Sequence, residues 1–323
     1  MNTTVQTDKS GALTGFKKFF SNYSVIIVTI IIFIAAAIVE GNSFLSATNL
    51  INVVRNNAVL GILALGMAFV IIAGEIDLSV GSELVAVGAI CLGVLNATGS
   101  PALAVIVSIA CAIAFSSFMG VIVAKGAVPS FVVTLGFMYI FRSVCQYYMS
   151  GGGFYGEVEA FSKISNSKLG PIPTPIIYLA IVFIVYLYIS KNTKIGRHIF
   201  SVGSNERASK LSGINTNRVK IIAFALMGLS VGIAAVIEAS RMNSINASSS
   251  GSSYEMYAIA MAVIGGVSMK GGRGKIVNVL FGILILAFIN NVLNLMGVSA
   301  FLVNAIKGAI IVVAVLIQKK DRV

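Results

Sequence analysis

Histidine occurs once in the 323 residues, at His198, and cysteine three times, at Cys91, Cys111 and Cys145. A lone histidine beside Arg197 in a polar stretch supplies no ligand set for a metal and no histidine-centred catalysis. The cysteines all fall in apolar stretches without CxxC spacing, so they read as small buried hydrophobes and not as a disulfide framework. Charge is also scarce. Only 11% of residues are Asp, Glu, Lys or Arg and 57% are hydrophobic, where a water-soluble domain carries about 25% charged and about 45–50% apolar residues. Too few polar side chains remain to cover a soluble surface, which excludes most soluble enzymes, disordered chains and nucleic-acid binders. No GxxxxGK[ST] run occurs. Gly274-Lys275-Ile276 lacks the upstream glycine spacing and the hydroxyl residue, so this chain cannot by itself cradle ATP phosphates and Mg²⁺. Ionisable groups in mid-membrane, which an ion-coupled carrier uses, reduce to Arg142, Lys307 and Glu83. The two cations are expected to snorkel or to pair with nearby carbonyls.

What the chain does have is apolar length. A hydrocarbon core about 30 Å thick needs roughly 20 apolar residues per helix, and ten stretches come near that: 25–39, 58–73, 80–95, 102–124, 131–149, 176–190, 219–238, 254–267, 276–295 and 299–318. The fold expected is an all-α integral membrane protein. The eighth stretch is short, either a span completed by polar neighbours or a broken, re-entrant helix lining a cavity. The first begins after a polar region too long for a secretory leader, although Ala35 to Ala37 resembles a cleavage site, and it reads as a retained helix. The net charge of +12 is mostly topology. With the N-terminus inside, seventeen of the 23 Lys and Arg fall in inside loops, and only Arg55, Lys163, Lys168 and Arg241 fall outside. The positive-inside rule therefore puts both termini in the cytoplasm. The expected organisation is a cytoplasmic tail over 1–24, a transmembrane domain over 25–318 with an inside loop at about 191–218, and a cytoplasmic tail over 319–323.

Ten spans divide into five plus five, which makes the halves candidate inverted repeats. Gly81-Ser82-Glu83 opens the third stretch and Gly251-Ser252-Ser253-Tyr254-Glu255 the eighth, each a small polar turn followed by a carboxylate and an apolar helix. Such helix N-termini, entering from opposite sides, would bracket a substrate path.

Two inside segments are the most distinctive. In residues 73–82, AGEIDLSVGS, Asp77 or Ser79 can cap the third helix, and Gly74 and Gly81 permit a tight turn at the membrane face. In residues 196–215, GRHIFSVGSNERASKLSGIN, Ser204 or Asn205 can cap a short helix through Leu211 that Gly213 ends in the left-handed conformation. A two-turn helix is not stable alone, so it is either docked as a partner-facing element or a helical turn in a solvated basic loop. Asn290 and Asn294 share one helical face and either line a hydrophilic path or hold helices together. The outside segments 150–175 and 243–253 are either a surface for a binding protein or plain connectors. The GxxxG pair Gly228/Gly232 is the ordinary device of close helix packing.

These two segments, with GGVSMKGGRGK at 265–275 and NNVLNL at 290–295, resemble in order and spacing the permease subunits of bacterial ABC sugar importers of the ribose type. That group includes ribose, xylose, arabinose, galactose and autoinducer-2 permeases, and the resemblance runs from about residue 49 to 320. It implies a multi-pass protein of the bacterial inner membrane that is not itself an enzyme and binds no cofactor. ATP and Mg would act on a separate cytoplasmic ATPase subunit. It further implies a second permease copy, identical or related, and an extracytoplasmic sugar-binding protein that delivers a small sugar, with ribose the first expectation. Asn205, Glu206, Arg207, Leu211, Ser212 and Gly213 would then couple to the ATPase. Glu75, Asp77, Ser79 and Gly81 would form a cytoplasmic motif or gate, and Asn290 and Asn294 candidate path-lining groups. Glu75 departs from the family pattern, in which glycine is frequent at that position. A stand-alone secondary sugar transporter or channel is the alternative that ten spans alone allow, and it needs no docking helix.

Overall fold

The computed structural model describes the backbone of residues 9–320 and the side chains of residues 23–299, 301–310 and 312. Of the expected terminal tails, residues 1–8 and 321–323 lie outside the described residues, while 9–24 belong to the first helix. The elements are α1 (Lys9–Leu45), α2 (Ala47–Ile72), α3 (Val80–Thr98), α4 (Pro101–Gly126), α5 (Ser130–Tyr148), β1 (Gly153–Tyr155), a 3-10 turn (Glu159–Ser162), α6 (Lys163–Asn166), β2 (Lys168–Leu169) and β3 (Ile172–Pro173). They continue with α7 (Thr174–Asn192), α8 (Lys194–Ser204), α9 (Glu206–Leu211), α10 (Thr216–Met242), β4 (Ser244–Asn246), α11 (Tyr254–Ile264), α12 (Ile276–Leu295) and α13 (Ala300–Lys320). A helix stands at each of the ten apolar stretches. Among the described residues seven helices are long and apolar enough to cross a membrane: α1 over Tyr23–Leu45, α2, α3, α4, α7, α10 and α12.

Polar residues set the helix limits. The Ser46 hydroxyl accepts from the Asn49 N–H and starts α2 well before its apolar run. Ser100 caps α4 with Pro101 in its first turn, where the missing N–H costs nothing. Asn215 caps α10 through the Arg218 N–H at 3.0 Å. From Ala58 to Ile72, α2 is buried at nearly every position, the mark of a helix enclosed by others. Its neighbour α10 packs on α4 at glycine. A Cβ on Gly228 would meet the Ala112 backbone, and one on Gly232 would come within 2.8 Å of the Ile109 Cα. The outward faces of α1, α5 and α7 keep Ile34, Ile38, Tyr139, Val144 and Ile184 exposed. A band of exposed aliphatic and aromatic side chains is what a lipid-facing surface requires.

The 150–175 segment carries short secondary structure of its own. β1 pairs antiparallel with β4, Phe154 opposite Ile245, and β2 with β3 forms a small hairpin. Ser165 donates to the Ile237 carbonyl at 2.8 Å, which ties the layer to α10.

Asn49 at the start of α2 and Asn291 on α12 exchange reciprocal amide hydrogen bonds of 3.0 and 2.9 Å. Interhelical amide pairs in membranes are worth about 0.6–1.7 kcal/mol. Leucine at either position is expected to destabilise by about that amount. The double variant should cost clearly less than the sum of the two, a non-additivity that thermal unfolding of the purified protein would measure.

Candidate functional site

Two centres carry the distinctive residues, and the first gathers three sequence-distant segments at one end of the bundle. Where α2 ends, Gly74 turns the chain with φ +89°, and the C-terminal end of α8 lies against this turn. A Cβ on Gly203 would overlap the Ile72 carbonyl oxygen. The 265–275 loop closes the third side, its Gly272 N–H donating to the same carbonyl at 2.8 Å. Gly271 and Gly272 adopt positive φ there with Gly74 and Ser204 backbone in contact, so side chains are excluded on both counts. Gly203→Ala is expected to unseat this contact at a cost of about 1–3 kcal/mol. Limited trypsin digestion should then cut faster at Arg207 and Lys210 than in the parent chain.

The short helix stands on this platform. Asn205, whose side chain accepts from the Ala208 N–H at 2.9 Å, is the cap of α9, so the cap is Asn205 and not Ser204. Gly213 closes the end with φ +81°. Arg207 and Ser212 are exposed, and Leu211 is 84% exposed, an unusual setting for a leucine at the end of a helix. A groove of about 580 Å³ runs between α8 and α9, lined by Phe200, Ser204, Asn205, Ala208 and Ser212. Below it, Lys220 on α10 bridges Glu206 of α9 and Glu75 of the α2 turn at 2.9 Å each. The two segments singled out by sequence are thus joined through one ammonium. Sequence reasoning missed both this link and α8. The signal for α8 was the spacing Ile195, Ile199, Val202 among the charges, whereas nothing in the local sequence pairs Lys220 with Glu75.

The second centre lies deep in the bundle. Past Glu75 the chain runs extended along α5, the Ile76 N–H donating to Ser130 and the Leu78 N–H to Thr134, both at 3.0 Å. Asp77 is fully buried and accepts from the Ser79 N–H at 2.9 Å and its hydroxyl at 2.6 Å. Its second carboxylate oxygen has no partner among the described residues. Ser79 stands at the cap position of α3 but makes no capping bond, because its backbone is already helical and its hydroxyl is turned to Asp77. Gly81 makes no turn either. It lies inside α3, where a Cβ would overlap the Gly251 carbonyl, and one on Gly251 would overlap the carbonyl of Gly81. The openings of α3 and α11 therefore touch backbone to backbone.

Around this contact the polar groups are closely held. Ser116 donates to the buried Glu83 at 2.9 Å. Ser116 is ten residues from the end of α4, about 15 Å along the helix, hence near mid-membrane. Arg142 of α5 donates to the Ala247 and Ser250 carbonyls at 2.8 and 2.9 Å and to the Ser82 hydroxyl at 3.2 Å. It pairs with carbonyls, as one of the two expected readings has it. Lys307 instead sits 4.8 Å from the centre of the Tyr257 ring. Glu83 and Glu255 occupy the first turns of α3 and α11, where carboxylates complement the positive helix ends. Asn290 is half-buried and Asn294 exposed. The hydrogen bond between helices is made by their neighbour Asn291, so neither Asn290 nor Asn294 supplies that bond.

Seven long apolar helices with exposed aliphatic faces, a few buried polar groups and an exposed short helix seated on converging loops are the features of a multi-pass membrane protein. Residues 49–315 match the family described as branched-chain amino acid transport system / permease component, and the chain belongs to that family. It is 38% identical over 300 residues to the ribose import permease protein of Escherichia coli K12, covering 92% of this chain and 93% of that one. It is 33% identical to the xylose transport system permease of Haemophilus influenzae, covering 93% and 96%. It is also 33% identical to the L-arabinose transport system permease of Escherichia coli K12, covering 98% and 97%. No solved structure matches. The chain is a multi-pass protein of the bacterial inner membrane.

Proposed function

We propose that the chain is the translocation subunit of an ATP-driven importer and forms the path for a monosaccharide, ribose first, delivered by an extracytoplasmic binding protein. The carrying observation is the 38% identity, over 92% of the chain, to a ribose import permease. The exposed, Asn205-capped α9 tied through Lys220 to the α2 turn supports the same reading. A partner ATPase that seats α9 would move it as a rigid body, and the ion bridge would carry that motion to the chain entering the bundle at Glu75. Glu206, Arg207, Leu211 and Ser212 present the docking surface, and Asn205 and Gly213 shape it. Glu75, Asp77, Ser79 and Gly81 form the gate segment. Asn290 and Asn294 are candidate path-lining groups.

ATP and Mg act on the separate ATPase subunit. Two permease copies, identical or related, enclose the path, with ten helices per copy in two inverted halves and both termini in the cytoplasm. On this reading residues 1–24 and 319–323 are cytoplasmic tails, 25–318 the transmembrane domain and 191–218 the coupling loop. The like openings of α3 and α11, each with a carboxylate in its first turn after a small polar segment, support the inverted halves.

Affinity isolation of the tagged chain from its native membrane in mild detergent tests the assignment. Recovery of an ATPase bearing Walker motifs and a sugar-binding protein is the expected outcome. Recovery of the chain alone, with uptake persisting after ATPase depletion, would replace this reading with a stand-alone carrier. Leu211→Asp should uncouple ATP hydrolysis from uptake while the protein still inserts.

A further inference from the structure

A second pocket on the α9 side of the bundle shares Ser212 and Gly213 with the end of α9, but its basic side chains take no part in the arrangement above. It has a volume of about 410 Å³ and lies between the first turns of α8, the 212–215 link and the first turns of α10. Its polar wall is Lys194, His198 and Arg218, and its apolar wall Ile195, Val219 and Ile222. No Asp or Glu lines it. The ion pairs among the described residues all involve Lys220, so Lys194 and Arg218 keep their charge uncompensated. Two cations, Lys194 and Arg218, with the His198 imidazole as a further hydrogen-bonding group, face one cavity from two helices with no acid among its lining residues, and they call for an anion.

The position says which anion. α8 follows directly on α7 as it leaves the membrane, and α10 enters the membrane from the same side, so the pocket lies at headgroup level. Ile222 lies four residues beyond Arg218, about 6 Å deeper along α10, and Ile195 is 42% exposed. The cavity thus grades from cationic at the interface to aliphatic toward the hydrocarbon, which suits a phosphodiester with an acyl chain attached and not a free phosphate. Basic pockets between helices on the cytoplasmic side take anionic headgroups by the same physics. We propose that Lys194, His198 and Arg218 form a binding site for the headgroup phosphate of an anionic phospholipid, with its acyl chain along Ile195 and Ile222. The inference needs only that the chain spans a membrane and does not depend on the ATPase partner.

The test titrates phosphatidylglycerol and phosphatidylcholine into the purified, delipidated full-length chain, read by native mass spectrometry. The parent is expected to prefer phosphatidylglycerol at least tenfold. Lys194→Gln with Arg218→Gln should bring that preference to within about twofold, while the charge-matched Lys163→Gln with Lys168→Gln retains it. Lys194→Arg with Arg218→Lys should also retain it. On the unmodified chain, phosphatidylglycerol but not phosphatidylcholine should slow amide exchange over 194–198 and 212–219, a readout independent of how the variants fold. Equal preference in the pocket variant, or no protection in the parent, would overturn the proposal. Displacement of the lipid by millimolar inorganic phosphate would assign the site to a soluble anion instead. Loss of ATPase binding with lipid preference intact would assign it to an acidic protein surface.

Discussion

Replacing Arg142 with methionine is expected to abolish uptake, lowering the initial rate in proteoliposomes by more than tenfold, and to destabilise the protein by about 1–3 kcal/mol. The guanidinium satisfies the Ala247 and Ser250 carbonyls and the Ser82 hydroxyl at once. With it gone, the Ala247 and Ser250 carbonyls lose their donor, at a desolvation cost that is largest at the buried Ala247. The tie also holds the segment before α11 against the opening of α3, so its loss frees the two helix starts that meet at Gly81 and Gly251. Arg142→Lys is the informative companion. An ammonium keeps the charge but lacks the fork that serves several acceptors in a fixed geometry, so it should recover part of the stability and little of the rate. Uptake in Arg142→Met above half the parent rate would mean that the tie is not needed for transport.

The second large effect is expected at Lys220. Lys220→Glu puts a third carboxylate between Glu75 and Glu206 and should eliminate sugar-dependent ATPase stimulation. Glu206→Lys in that background should restore part of it, because one bridge to α9 is regained with its signs exchanged. The two limbs are unequal. The Glu75 side chain is 11% exposed and that of Lys220 15%, whereas Glu206 is 48% exposed. The Glu206 limb is therefore screened and worth about 0.2–1 kcal/mol, weak enough to break and re-form during a transport cycle. Lys220→Met should consequently reduce coupling more than stability. ATPase stimulation measured against melting temperature across the three variants separates the two effects.

The helices were legible where apolar residues define them. The starts of α3 at Val80 and α12 at Ile276 fall where hydropathy alone sets them. The start of α2 does not, because Thr48, Asn49, Asn52, Arg55, Asn56 and Asn57 interrupt the apolar run there and its helix is fixed by the Ser46 cap and the Asn49–Asn291 amide pair. α8 was hidden by its lysine, arginine and histidine, which mask three buried aliphatic or glycine positions. α9 was legible from its cap and its glycine stop, since those are local chemistry. The site was legible as segments and not as an assembly. That Glu75 meets Lys220, that Gly203 fits beneath Ile72, and that Arg142 reaches Ala247 are contacts across a hundred residues or so, set by packing and not by neighbouring sequence. Gly81 makes the point most clearly: a turn glycine by its local pattern, it is a contact glycine because of Gly251.

The most direct test is ribose uptake into proteoliposomes holding this chain with its ATPase subunit and binding protein, compared with and without ATP at the ATPase. The account predicts uptake against a gradient only when ATP, ATPase and binding protein are all present, and its loss in Leu211→Asp. Concentrative uptake by the chain alone, driven by a proton or sodium gradient, would contradict it.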